Sequence, residues 1–234
     1  MKLLVSPINI EEAKIALKGG ADIIDVKNPK EGSLGANFPW IIASIKEAIN
    51  SEKPVSATIG DFNYKPGTAS LAALGAAVAG AEYIKVGLYD IQTAKQAKDM
   101  LENIVKAVKN YDDSKKVVAA GYSDFNRINS ISPFELPEIA MLTGIDVVMI
   151  DTGIKDGKST FEFMSEQDLT KFVSEAHDFG LQTAIAGTIK FENIDALRLI
   201  NPDIIGVRGV VCGGDRNSSI KQELVENLKK EISA

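Results

Sequence analysis

Eight short β-rich runs alternate with helix-period segments along the whole chain. The runs are KLLVS (2–6), IIDVK (23–27), PVSATIG (54–60), YIKVGL (83–88), KVVAAGY (116–122), VVMIDT (147–152), QTAIAGT (182–188) and IIGVRGV (204–210). Between them lie amphipathic stretches such as NIEEAKIALKGG, IQTAKQAKDMLENIVKAVKN and SEQDLTKFVSEAHDFG, two of which end in glycine at the place of a helix C-cap. Strands that alternate with helices pair in parallel. Eight such units in 234 residues match a (β/α)8 TIM barrel, which typically takes about 250. The α/β chain is therefore expected to form a single TIM-barrel domain over residues 1–234. Its 45% hydrophobic content is enough for one large core. An open doubly wound sheet usually has fewer strands and a glycine-rich first turn, whereas the first turn here reads SPINIEEA.

The even-numbered runs repeat one another as ADIIDVK, AEYIKVG, IDVVMID and PDIIGVR. Each begins with an acid: Asp22, Glu82, Asp146 and Asp203. Three residues beyond that acid stand Asp25, Lys85, Met149 and Gly206; five beyond it stand Lys27, Gly87, Asp151 and Arg208. The second and fourth positions hold only isoleucine and valine. Strand side chains alternate between faces, so one face is aliphatic and the other carries every charge. In a barrel the aliphatic face packs on the helices and the charged face looks inward, in layers of four from alternate strands. The opposite register would bury five charges against apolar helices at several kcal/mol each.

Composition narrows the chemistry. The chain has one histidine, His177, placed near the end of a helix pattern, where a surface or capping role fits. That removes most serine–histidine, cysteine–histidine and histidine–metal mechanisms. A lone cysteine, Cys212, rules out an internal disulfide and suits a reducing cytoplasm. A net charge of −6 leaves no general footprint for nucleic acid. The apolar run at the N-terminus is too short for a signal peptide or a membrane span, so a cytoplasmic protein is expected. The stretch GIKDGKST resembles a P-loop but has three residues between Gly153 and Gly157 instead of four, and the next helix pattern starts near Ser165.

Acid–base and nucleophilic work therefore falls to lysine and carboxylate. Structural pairs, Asp25 with Lys85 and Lys27 with Asp151, are the simplest use of the inward charges. Buried pairs, however, stabilise less than aliphatic packing, and these charges sit at the C-terminal strand ends, where barrels keep their active sites. Two lysines in a confined space lower each other's pKa, and desolvation adds to the effect. A neutral amine attacks an aldehyde or ketone to give a Schiff base, which acts as an electron sink. Asp25 and Asp151 would orient the ammonium groups, and Lys155, on the loop after the sixth strand, is placed to reach back. Barrel phosphate sites commonly use the loops after strands seven and eight. There Gly187, Thr188, Gly213 and Gly214 offer backbone N–H groups, and Arg208 or Arg216 offers charge. The long loop KNPKEGSLGAN is either a cover over substrate or a surface turn.

The segments DVKNPKEGSLGA, YIKVGL and MIDTGIKDGKSTF, in this order and on these strands, resemble (5-formylfuran-3-yl)methyl phosphate synthase, also called 4-(hydroxymethyl)-2-furancarboxaldehyde-phosphate synthase. The resemblance covers essentially the whole chain. It implies a TIM barrel that condenses two molecules of glyceraldehyde 3-phosphate into a furan precursor of methanofuran; the lysine chemistry read from the residues is metal-free, and no cofactor is expected. It implies that Lys27 is the Schiff-base lysine, that Lys85 transfers protons, and that Asp25, Asp151 and Lys155 complete the site. The expected partner is a phosphorylated aldehyde, the expected assembly a homo-oligomer. The Asp25-x-Lys27 pair is also similar to that of barrel decarboxylases, whose lysine protonates a carbanion without a Schiff base. An acid–base isomerase or decarboxylase and a non-catalytic barrel that binds a phosphorylated metabolite are the alternatives.

Overall fold

Valine and isoleucine, whose branched side chains favour extended backbone, fill the eight runs. In the computed structural model, which describes residues 1–233, each run forms a strand. The strands are β1 (Lys2–Val5), β2 (Ile23–Val26), β3 (Val55–Asp61), β4 (Tyr83–Gly87), β5 (Lys116–Tyr122), β6 (Val147–Asp151), β7 (Gln182–Ile185) and β8 (Ile204–Val207). All pair in parallel, in chain order, and β8 closes on β1. The helices are α1 (Ile10–Lys18), α2 (Pro39–Ala48), α3 (Pro66–Val78), α4 (Ala94–Tyr111), α5 (Leu136–Thr143), α6 (Thr160–Phe163), α7 (Glu166–Asp178), α8 (Ile194–Ile200) and α9 (Gln222–Ser233). The fold is the TIM barrel. No helix among the described residues is long and apolar enough to cross a membrane.

Most strands stop earlier than the sequence suggests. β7 ends at Ile185 because Gly187 and Thr188 turn to φ angles of 94° and 52°, which no strand accommodates. Ser165 does cap α7, as its place before the helix pattern suggests. A further turn, α6, precedes it, capped by Ser159 with Glu162 reaching back.

The two faces divide as the alternation requires. Ile24, Val26, Ile84, Val86, Val148, Ile150, Ile205 and Val207 join the core between barrel and helices. Ile23, Tyr83, Val147, Met149 and Ile204 fill the barrel interior, together with Leu4, Val118 and Ala184 from the odd strands.

The acids that open the even strands have a shared structural task. Asp22 accepts the Leu3 N–H at 2.7 Å, Glu82 that of Val55 at 2.7 Å, Asp146 that of Val117 at 2.8 Å and Asp203 that of Thr183 at 2.8 Å. Each therefore ties the start of its own strand to the preceding odd strand. Each also takes one basic side chain from an outer helix: Lys229, Lys46, Lys109 and His177 respectively. His177 is thus a structural partner of Asp203, 2.9 Å away, at the end of the barrel remote from the charged mouth. Replacing Asp146 by alanine strands the Val117 N–H inside the fold, with an expected loss of about 1–3 kcal/mol. Replacing Lys109 by methionine removes a partly buried ion pair and the ammonium's bonds to the Asp113 and Lys115 carbonyls but leaves the Val117 N–H paired, with an expected loss of about 1 kcal/mol. Urea unfolding midpoints of the two variants check this order.

Candidate active site

The inward charges of β2 and β4 meet below the mouth. Asp25 is wholly buried, and Lys85 Nζ lies 2.9 Å from both of its oxygens. Ser6 and Ser56 donate to the same carboxylate at 2.9 and 2.7 Å. Ser6 directly follows β1 and Ser56 lies on β3, so both come from the odd strands that flank β2. Burial pushes the Asp25 carboxyl up, but Lys85 and Lys27 outweigh it and hold the pKa below the ordinary value. Asp25 is thus a fixed anion beneath the cavity, and Lys85 lines the cavity above it.

One rung higher, Lys27, Asp151 and Lys155 converge. Asp151 is engaged by Lys155 Nζ and by the N–H of Thr152 at 2.7 Å. Lys155 also reaches Thr152 Oγ1 at 2.9 Å. The Lys27–Asp151 pair of the purely structural alternative does not form, because Lys155, four residues beyond Asp151, takes the carboxylate. Among the described residues the Lys27 ammonium has no ion-pair partner, although the side chain is only 7% exposed. Burial lowers its pKa to about 7; Asp151 and Asp25 pull it back up, while Lys155 and Lys85 push it further down. A large share of Lys27 is therefore neutral amine near pH 7. Asp151 itself, pushed up by burial, is held below the usual carboxylate range by Lys155 and Lys27.

These groups open on a cavity of about 240 Å³ whose far wall is made by the loops after β7 and β8. Gly187, Thr188 and Gly214 line it; Gly213 lies outside the lining. Gly187 is required by space as well as by its φ, since a Cβ there would stand 2.3 Å from Thr160 Oγ1. Arg208 reaches the cavity edge, but its guanidinium is already committed. It donates to Glu12 Oε2 and the Ser6 carbonyl at 2.8 Å and to the Arg216 carbonyl at 2.7 Å. With Glu12 and Arg208 both buried, this pair ties α1 to the loop after β8 and leaves no cation free for an anion. The expectation of Arg208 as phosphate cation is corrected accordingly. Arg216 has the opposite character: it lines the cavity, and its Nη2 is buried with no partner among the described residues.

The loop after β2 covers the other side of the mouth. Ser33 Oγ donates to the Thr152 carbonyl at 2.7 Å, and the Leu34 side chain is fully buried against the barrel interior. Asp61 seats the loop through the Leu34 N–H at 3.0 Å and also accepts the hydroxyl of Tyr122. Gly87 makes room for this pair, because a Cβ there would lie 2.0 Å from the Tyr122 hydroxyl. Burial raises the pKa of Asp61, and it raises that of Tyr122 further, with Asp61 adding to it. Ser6, Ser56, Asp61 and Tyr122 escaped the sequence reading, which followed alternation only on even strands. The same count along β3 and β5 reaches Ser56 and Tyr122. Among the described residues no group of three or more His, Cys, Asp or Glu side chains is placed to hold a metal ion.

The charge arrangement has a measurable consequence. Lys27 is expected to titrate near pH 7, against 10.5 for an ordinary lysine. Asp151→Asn removes a carboxylate that favours the ammonium, so the Lys27 pKa should fall further. Lys155→Met removes a repelling cation and frees Asp151, so it should rise. Carbon-13 NMR of labelled lysine side chains reads all three; a wild-type Lys27 titrating near 10.5 is the contrary result.

The 4-HFC-P synthase family model matches residues 3–229. A Methanosarcina barkeri protein named (5-formylfuran-3-yl)methyl phosphate synthase is 70% identical over 234 residues, covering all of both chains. Proteins of the same name from Archaeoglobus fulgidus (99% of each chain covered) and Methanocaldococcus jannaschii (98% of this chain, 99% of that one) are each 58% identical. Among solved structures, a 3-hexulose-6-phosphate synthase aligns with a TM-score of 0.68 at 20% identity, over 99% of this chain and 100% of that one. KGPDC from Streptococcus mutans aligns at 0.67 and 15% identity, over 99% and 97%. Such distant structures speak for the barrel alone. The family match over nearly the whole length, with relatives above half identity, establishes that this chain belongs to the 4-HFC-P synthase family.

Proposed function

We propose that this chain is a lyase that condenses two molecules of glyceraldehyde 3-phosphate into (5-formylfuran-3-yl)methyl phosphate, the product its relatives are named for, as a step toward methanofuran. The observation that carries this reading is the unpaired Lys27 amine, with a pKa of about 7, in a cavity flanked by carboxylates and further lysines. A neutral amine at that position attacks the aldehyde carbon of one triose phosphate. Loss of water leaves a protonated imine on Lys27, which acidifies the neighbouring carbon. Lys85, steadied by Asp25, is placed to move that proton. The resulting enamine attacks the carbonyl of the second triose. Asp151 and Lys155 then handle the protons as one phosphate and water leave, the furan closes, and water hydrolyses the imine to free the aldehyde and restore the Lys27 amine. This chemistry works in the cytoplasm without metal or cofactor.

The phosphate rests, in this reading, on backbone N–H groups around Gly187, Thr188 and Gly214, with Arg216 as the cation. A guanidinium nitrogen buried without a partner is costly unless a ligand completes it, which supports that assignment.

Borohydride added during turnover of glyceraldehyde 3-phosphate is expected to leave a reduced adduct on Lys27, read by peptide mass spectrometry. Lys27→Met should lose at least about 10³-fold in kcat without melting below the wild type, because it removes an unpaired buried amine. Absence of an adduct, with activity surviving borohydride, would instead favour acid–base isomerisation or decarboxylation.

The two arginines separate by measurement. Arg216→Met should raise KM for the triose phosphate about tenfold or more, with an unchanged melting temperature. Arg208→Met leaves Glu12 buried alone and should destabilise the fold by about 3–5 kcal/mol. Steady-state kinetics and denaturant unfolding of the pair decide between them.

A further inference from the structure

Strand β3 leaves regular alternation at its end. Thr58 pairs with Lys85, yet Asp61 pairs with Gly87, so three steps along β3 match two along β4. Gly60 takes up the extra residue at a φ of 126°, which favours glycine. Ser56 faces the interior, where it meets Asp25, so strict alternation would turn Asp61 toward the helices. The bulge turns it into the barrel mouth instead, and bulges beside active sites re-aim side chains in this way. Space is kept for the carboxylate on two further segments. A Cβ at Gly32 would stand 2.2 Å from Asp61 Oδ2, and one at Gly87 2.8 Å from Oδ1. Both oxygens are taken, Oδ1 by the Tyr122 hydroxyl and Oδ2 by the Leu34 N–H, and Asp61 lies outside the cavity lining. It therefore acts through what it holds.

What it holds is the loop of residues 28–37, which starts directly after Lys27. The Lys27 carbonyl accepts Asn37 Nδ2 at 3.4 Å, and the Asn28 N–H donates to the Gly35 carbonyl at 2.9 Å. Thr58 Oγ1 donates to the same carbonyl at 2.6 Å. Ser33 reaches the carbonyl of Thr152, whose N–H binds Asp151 and whose hydroxyl binds Lys155. The loop thus spans the mouth from Lys27 to the Asp151–Lys155 pair, and Leu34 is its inward anchor. We propose that Asp61 is a positioning residue: by accepting the Leu34 N–H it holds this loop as a closed cover, and the closed cover sets where Lys27, Asp151 and Lys155 stand. This role rests on the reading of Lys27 as the reacting amine.

Three variants of the full chain test it. Asp61→Ala removes the acceptor. Asp61→Asn loses the same charge but keeps an oxygen for the Leu34 N–H. Gly32→Ala works from the other side: Gly32 is exposed, and its new Cβ meets the Asp61 carboxylate, so the loop is pushed off with the acid intact. With glyceraldehyde 3-phosphate, both alanine variants are expected to lose about 10²-fold in kcat, the scale of an ångström's misplacement, with KM within about threefold because the loops after β7 and β8 are untouched. Asp61→Asn should recover to within about tenfold of wild type. Trypsin cuts after Lys30, on the exposed turn of the loop, and should do so at least about tenfold faster in Asp61→Ala than in wild type or Asp61→Asn. Far-UV circular dichroism should be the same throughout; should Asp61→Ala fail to fold, Gly32→Ala carries the same kinetic and cleavage expectations. Alanine variants that keep the wild-type kcat, or a cleavage rate that does not change, overturn the proposal. An asparagine variant as slow as the alanine one overturns it too, since the charge then acts on the chemistry directly. A wild type that forms no product defeats the functional reading instead. The cover is then judged by the cleavage rates and by the Lys27 titration, which should lie higher in Asp61→Ala than in Asp61→Asn as water reaches the amine.

Discussion

A barrel strand has two faces and a period of two, so a slip of one residue exchanges everything it carries. In this chain that exchange would drive Asp25, Lys27, Lys85, Asp151 and Arg208 into the aliphatic layer under the helices. The register is therefore the constraint on which the rest depends. It is pinned at the closed end, where Asp22, Glu82, Asp146 and Asp203 each hold a backbone N–H of the preceding strand and one basic side chain from a helix. The repeat that sets those clamps also sets, three and five residues later, the charges at the open end. Stability and chemistry share one pattern and occupy opposite ends of it.

The charges at the open end are unequally satisfied. Asp25 receives donors on both oxygens from Lys85, Ser6 and Ser56. Asp151 is taken by Lys155 and its own loop backbone. Arg208 commits its guanidinium to Glu12 and carbonyls. What is left over is Lys27, with a depressed pKa, and one nitrogen of Arg216. Burying polar groups without partners is unfavourable unless something completes them. The Lys27 amine and one nitrogen of Arg216, facing one cavity of about 240 Å³, are the two incomplete groups. The complete pairs around them supply the rigidity that keeps them so.

Much of this was legible from residue order. The alternation of eight runs named the barrel, and the period of two sorted Ile24 and Val26 to the helices and Asp25 and Lys27 to the interior. The Asp25–Lys85 pair followed from their common layer. The assignments that did not carry through concern long side chains on loops. Arg208 is one of two arginines offered as phosphate cation, with Arg216, yet Glu12, 196 residues away in the chain, takes its guanidinium. The purely structural alternative pairs Lys27 with Asp151, yet Lys155 on the adjoining loop is a competitor that strand layers do not count. Ser6 and Ser56 lay in plain view but belong to the odd strands, whose inner faces read as small and uncharged.

Sequence alone determined the barrel, the register of its even strands and the presence of a charged, lysine-bearing mouth, because those follow from a local period and from the penalty of burying charge against aliphatic side chains. Beyond the Asp25–Lys85 pair, tertiary structure alone decided which charge meets which. Lysine and arginine side chains span several ångströms and choose among acceptors brought together by chain closure, so the partner each one takes depends on distances that no local pattern encodes. That choice is what leaves Lys27 and Arg216 unsatisfied at the cavity.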